Sequence, residues 1–285
     1  MQVVPTNKPL GAEIRGIKIS SDLSEQELAG IRQALDDHSV VFFRDQEFDE
    51  ATHVAFSKRL GSLRVPRLNS KALVPGWPDL TVLSNIIENG EPIGLLEAGQ
   101  YWHSDNSFKQ VPNSYALLYA QEIPQQHGKM LGGTMFASAL HAYETLDDEM
   151  RQRISGRKSR NNFQNPFRRK ALSADASKIY WEEKQEPDSV HPIVRTHPRT
   201  GRKGLYVNET YTVGVDAMEQ AQSREIIDFL CNHITRPEAI YTHEWHVGDF
   251  LIWDDCASQH NAIADYQLPL RRKLRRTTVQ GTIPF

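Results

Sequence analysis

A mainly β protein with flanking helices, folded as a sandwich or barrel, is what these 285 residues predict. Short runs rich in β-branched and aromatic side chains recur between turn signals from about residue 80 to 279, and helical periodicity is confined to four stretches. Hydrophobic residues make up 39% and charged residues 24%, an ordinary globular balance with enough apolar surface for a sizeable core.

The first helix begins where Ser24 and Glu27 form a capping box, and Leu28, Ile31 and Leu35 follow at helical spacing. The apolar run Val40-Val41-Phe42-Phe43 then reads as a buried strand. A second helix fits 49–60, with Val54, Ala55 and Leu60 on one face and Gly61 as its terminating residue. Strands are expected at 80–84, 114–120, 134–136, 193–196, 205–207, 250–253 and 274–279. The segment 196–203 carries Pro198 and Gly201 and joins two of these as a hairpin connection would. Helical patterns interrupt the strands near 138–155 and 216–234. From Arg157 to Lys170 the chain is polar, holds six basic residues and shows weak periodicity, so it reads as a long loop opening an insertion near 157–187. A solvated charged surface is the favoured reading of that loop, and a lid over a site the other. One domain spanning 1–285 accommodates all of these elements.

With 33 basic against 36 acidic side chains the net charge is −3, which gives no global attraction to nucleic acid. No apolar run approaches a membrane span, and the first residues lack a signal-peptide pattern, so a cytoplasmic protein is expected. Cys231 and Cys256 are too few for a disulfide framework and suit a reducing compartment.

Chemistry concentrates in three places. His103 and Asp105 stand two residues apart, a spacing that on a strand puts imidazole and carboxylate on one face, able to share one metal ion. A hydrogen-bonded His–Asp pair is the plainer reading of so short a motif. A 2-His-1-carboxylate triad needs one more histidine, and His260, after the apolar strand ending near Trp253, is the candidate. Twelve residues beyond His260 stands Arg272, and alternation puts Arg272, Leu274 and Arg276 on one face. A guanidinium turned into a barrel is costly unless it meets an anion, and its planar fork suits a carboxylate. A basic edge strand in water would carry the same residues.

Taken in order, His103-x-Asp105, Gly132-Gly133-Thr134, Trp253-Asp254 with His260, and Arg272 with Arg276 resemble the taurine/2,4-dichlorophenoxyacetate dioxygenase family. The resemblance extends over nearly the whole chain, from Gly11-Ala12-Glu13 through Phe43-Arg44-Asp45 and His197-Pro198-Arg199 to Tyr206-Val207-Asn208. It implies a double-stranded β-helix, a cupin-like jelly-roll core, with Fe(II) bound by His103, Asp105 and His260, and 2-oxoglutarate and O2 as cosubstrates. It further implies that Thr134 and Arg272 hold the distal carboxylate of 2-oxoglutarate, and that Arg276 and Tyr211 meet a small anionic substrate. Taken alone, Thr134 is an ordinary strand residue and Tyr211 a core or rim tyrosine.

The implied reaction couples oxidative decarboxylation of 2-oxoglutarate, to succinate and CO2, to hydroxylation of a substrate C–H. Cleavage of an adjacent ether or C–S bond follows where the hydroxylated carbon bears such a group. Two groups of the taurine-specific pocket are missing: Pro66 stands in place of a histidine, and Gly99 in place of an asparagine. The stretch 102–108 is closer to the aryloxyalkanoate branch. The family also makes a homodimer or homotetramer the expected assembly. Two rivals remain at this point: a zinc hydrolase or isomerase on the same barrel, and a non-enzymatic jelly-roll that binds anions.

Overall fold

Strand pairing gathers both halves of the chain into one eight-stranded sheet. The computed structural model describes residues 1–66, 72–96, 99–165 and 187–285. Across the large sheet the order is Gln2–Pro5, Ala12–Arg15, Val40–Phe43, Phe250–Asp254, Asn113–Glu122, Lys273–Gln280, Trp77–Ser84, Leu73–Val74. Lys273–Gln280 is hydrogen-bonded to a strand on either side, so its arginines do not belong to a solvated edge.

The all-apolar run Val40–Phe43 is explained by burial of both faces. Val41 and Phe43 join Leu117, Phe250, Ile252 and Val279 against Leu28, Ile31 and Leu35 of the helix Glu25–His38 and Phe56 of the helix Glu50–Leu60. Val40 and Phe42 point the other way, as strand alternation requires, and join Leu118, Leu251, Trp253, Leu274 and Phe136. Phe136 belongs to a separate three-stranded sheet ordered Ile240–His243, Thr134–Ser138, Ser258–Ala262, so the two sheets share one apolar interior. A third cluster packs Ala139–Glu144, Asp148–Ile154 and Gln220–Ile234 around Ile193, Leu205 and Val215.

The capping box at Ser24 and Glu27 is present, and the Asp49 side chain caps the second helix by accepting from Thr52 N at 2.8 Å. Gly61 ends that helix in extended backbone, and a Cβ there would lie 2.6 Å from Val279 Cγ1. Helical periodicity across 138–155 resolves into two helices, because Asp147 caps a new one through Met150 N at 2.7 Å. The 196–203 hairpin forms between Val194–Thr196 and Lys203–Leu205. The strand expected at 205–207 therefore lies two residues earlier.

The long loop from Arg157 is corrected at its start: Lys158–Asn161 is a strand between Ser189–Pro192 and Thr212–Val215. Its buried side chains are Ser159 and Asn161 while Lys158 and Arg160 face water, so a polar inner face hid the alternation. Residues 166–186, most of the insertion and its lid reading, lie outside the described residues. Cys231 and Cys256 are buried free thiols, and among the described residues no helix is long and apolar enough to cross a membrane.

Candidate functional site

A strand, an isolated bridge and a turn bring His260, His103 and Asp105 together. His103 and His260 form an antiparallel bridge, each N–H donating to the other's carbonyl, at 3.1 Å and 2.9 Å. His260 lies beyond the apolar strand Phe250–Asp254, as expected, within the next strand Ser258–Ala262 and with Phe136 beside it in register. The strand expected to carry both His103 and Asp105 is corrected: past the single bridge residue the chain turns at once. Asp255 imposes that turn. Its Oδ1 accepts Asp105 N at 3.0 Å, its carbonyl accepts the Ser104 hydroxyl at 2.6 Å, and Asn106 follows with φ 58°. The His103–Asp105 segment is thereby tied to a residue that lies shortly before His260 in the chain.

His103, Asp105 and His260 are buried, and one ligand atom from each lies within 4.8 Å of the others. His103 Nδ1 is 2.7 Å from Tyr101 O; a carbonyl only accepts, so that nitrogen carries the proton. The remaining nitrogen, Nε2, stands 3.3 Å from Asp105 Oδ1, close enough for a proton or a metal ion to lie between them. His260 Nε2 is 4.0 Å from the same oxygen. Two imidazoles and a carboxylate around one point fit a divalent iron.

Burial pushes the Asp105 carboxyl up, but Arg276 and the two histidines outweigh it and hold the group ionised below the usual range. Burial, reinforced by the charge of His103, drives His260 well down and keeps it neutral. Burial and the neighbouring Asp105 push Asp255 well up, which favours its protonated form.

Next to this triangle, Thr134 opens the strand Thr134–Ser138 and is paired across to Ala262 and His243. Its Oγ1 accepts the Trp245 indole N–H at 2.9 Å. Arg272 is 7% exposed, and its Nε donates to Gly132 O at 3.2 Å. Among the described residues no carboxylate lies within ion-pair reach of that guanidinium, and burial lowers its pKa. A buried arginine lacking a carboxylate fits a bound anion.

Arg276 donates to Asp105 Oδ2 at 3.3 Å, while its buried Nε finds no partner among the described residues. The Tyr211 ring stands edge-on to His103 with centroids 6.1 Å apart and packs on Phe108 at 4.8 Å. Asn208 places it, accepting Tyr211 N at 2.8 Å and donating to Ser107 Oγ at 2.9 Å. All seven expected residues thus converge on one region. Asp255, Asn208 and Trp245 are the contributors that residue pattern alone did not assign: their roles depend on which atom accepts from which, and spacing carries no such information.

The profile of the taurine catabolism dioxygenase TauD, TfdA family matches residues 2–278. Pentalenolactone F synthase of Streptomyces arenae is 30% identical over 272 residues, covering 91% of this chain and 89% of the relative. The α-ketoglutarate-dependent 2,4-dichlorophenoxyacetate dioxygenase of Cupriavidus pinatubonensis is 28% identical, covering 96% of each. The crystal structure of a putative α-ketoglutarate-dependent taurine dioxygenase from Burkholderia xenovorans superposes with a TM-score of 0.82 at 28% identity, covering 99% of this chain and 93% of that one. Sequence and fold agree over nearly the whole length: the chain belongs to the taurine catabolism dioxygenase TauD, TfdA family, and 2-oxoglutarate-dependent dioxygenation at Fe(II) is its chemistry.

Proposed function

We propose that His103, Asp105 and His260 hold the iron, that Thr134 and Arg272 bind the distal carboxylate of 2-oxoglutarate, and that Arg276 and Tyr211 receive the substrate. The single observation that carries this reading is the pairing of a metal-sized triangle with a buried arginine that lacks a carboxylate. A zinc hydrolase has no need of that arginine, and an anion-binding module has no need of the triangle.

When bound, Fe(II) with 2-oxoglutarate and O2 supplies the oxidising power for hydroxylating a substrate C–H, with succinate and CO2 released. The chain's own residues do the positioning. Arg272 and Thr134 fix one end of the cosubstrate, and Asp255 holds the His103–Asp105 turn. Arg276 neutralises Asp105 with one nitrogen and, with its side chain still partly exposed, has the rest of its guanidinium fork for the substrate's anion. The substrate class is a small organic anion: an aryloxyalkanoate, another carboxylate or a sulfonate. The aromatic wall of Tyr211 and Phe108 favours a ring-bearing member, and the named substrate of the Cupriavidus relative supports the aryloxyalkanoate choice. Hydroxylation beside an ether oxygen or a sulfonate would release that group.

The eight-stranded and three-stranded sheets around their common interior are read as the two sheets of a double-stranded β-helix within a single domain. A cytoplasmic homodimer or homotetramer is the proposed working form. The test is anaerobic: Fe(II) and 2-oxoglutarate added to apoprotein should produce a visible charge-transfer band that Asp105→Ala abolishes. Tight metal binding with no band in the wild type would favour the zinc enzyme instead.

A further inference from the structure

Among the described residues Trp245 makes no hydrogen bond to the proposed iron ligands, yet it is fully buried and gives its only side-chain polar atom to Thr134. We propose that Trp245 is a positioning residue for 2-oxoglutarate, whose indole N–H occupies one acceptor position of the Thr134 hydroxyl and so aims that hydroxyl's proton at the cosubstrate. The inference rests on the reading that Thr134 and Arg272 hold the distal carboxylate.

Donor and acceptor roles decide the orientation. An indole N–H can only donate, so in the 2.9 Å contact Thr134 Oγ1 is the acceptor. A hydroxyl has one proton, and among the described residues Thr134 Oγ1 donates it to nothing. A carboxylate only accepts. A threonine that is free to rotate would present a lone pair to it part of the time, whereas one already filled from the Trp245 side presents its proton.

The surroundings keep that arrangement stiff. Trp245 packs edge-on against His243, with ring centroids 4.6 Å apart and an interplanar angle of 84°. His243 is the backbone partner of Thr134, and its Nε2 is 3.1 Å from Asp249 Oδ2. Thr134 therefore sits on one strand, and Trp245 lies two residues past the end of the neighbouring strand Ile240–His243. Arg272 has its own bond to Gly132 O, so each protein group meeting the carboxylate has an orienting partner.

The test titrates 2-oxoglutarate anaerobically into the Fe(II)-loaded enzyme and follows the charge-transfer band. Trp245→Phe should raise the Kd about 3- to 10-fold, the range expected for losing one hydrogen bond's worth of orientation. Replacement of Trp245 by benzothienylalanine, which keeps the ring shape and lacks the N–H, should do the same if the phenylalanine variant fails to fold. Fe(II) affinity should stay within about 2-fold in both. In a Thr134→Val background either Trp245 replacement should have no further effect on the 2-oxoglutarate Kd, because the group it acts through is gone.

Unchanged affinity in both Trp245 replacements, with Thr134→Val and Arg272→Gln each weakening binding, overturns the proposal alone. A full Trp245 effect surviving on the Thr134→Val background also overturns it and makes the tryptophan a packing residue. If Thr134→Val and Arg272→Gln both leave the Kd unchanged, the cosubstrate reading fails, and the proposal with it.

Discussion

Gly132→Ala is the substitution whose consequence the geometry states most directly. Gly132 has φ 70°, and a Cβ built on it would lie 2.8 Å from both Cδ and Nε of Arg272 and 2.9 Å from Tyr266 Cε1. Two costs follow. An alanine in left-handed backbone is strained by about 1–2 kcal/mol, which should appear as lost stability. The second falls on Arg272, which cannot keep its present path and its 3.2 Å bond to Gly132 O with a methyl inside van der Waals contact. A charged hydrogen bond contributes about 1.5–3 kcal/mol, so loss of one bond to the cosubstrate carboxylate weakens binding about 10- to 150-fold. The assay is equilibrium titration of the folded, Fe(II)-loaded variant with 2-oxoglutarate, with Fe(II) affinity measured in parallel. A variant that folds and binds 2-oxoglutarate within about 2-fold of wild type would show that Arg272 need not occupy its present position, and the assignment of its role would fall.

Three further outcomes are expected. Asp255→Asn should keep Fe(II) affinity, because an amide retains the oxygen that accepts from Asp105 N and Trp253 Nε1, whereas Asp255→Ala should weaken it about 10-fold or more, as measured by competition with a chelator. Arg276→Ala should raise the KM for the primary substrate about 10-fold or more in steady-state succinate release, while the KM for the oxoacid cosubstrate moves less than about 3-fold. His53, fully buried, is pushed down to about 3 by burial and by the charge of Arg275, so it stays neutral in the fold. Below about 6.5 the unfolded chain takes up a proton that the native state refuses, and stability should fall with falling pH by up to about 1.4 kcal/mol per unit from this group. Urea unfolding at pH 7 and pH 5 should show the loss, and His53→Gln should reduce it.

Much of the site was legible because its chemistry needs particular residue types at intervals that the backbone respects. His103 and Asp105 lie close in sequence, although a turn and not strand alternation brings them together, and Arg272 stands just before the strand that carries Arg276. The first two helices were readable from their caps, which are local. What escaped was of two kinds. Lys158–Asn161 buries a serine and an asparagine, so its inner face gave no apolar signal. The turn at Asp105 is set by Asp255, a residue 150 positions away in sequence, and no local pattern encodes so distant a hydrogen bond. Trp245 was hidden for a related reason: its packing is visible from composition, but its indole N–H acquires meaning only when Thr134 is seen opposite it.

The reciprocal backbone bridge between His103 and His260 bears on how the enzyme would survive a shortage of iron. Two of the three proposed ligands are spaced by main-chain hydrogen bonds of 3.1 Å and 2.9 Å, which leave their imidazole nitrogens out of the bridge. Ion capture then has little chain to organise, in contrast to small zinc domains that fold only around their metal. An iron-free enzyme of this design should stay folded, which urea unfolding with and without Fe(II) would check by a small difference in stability.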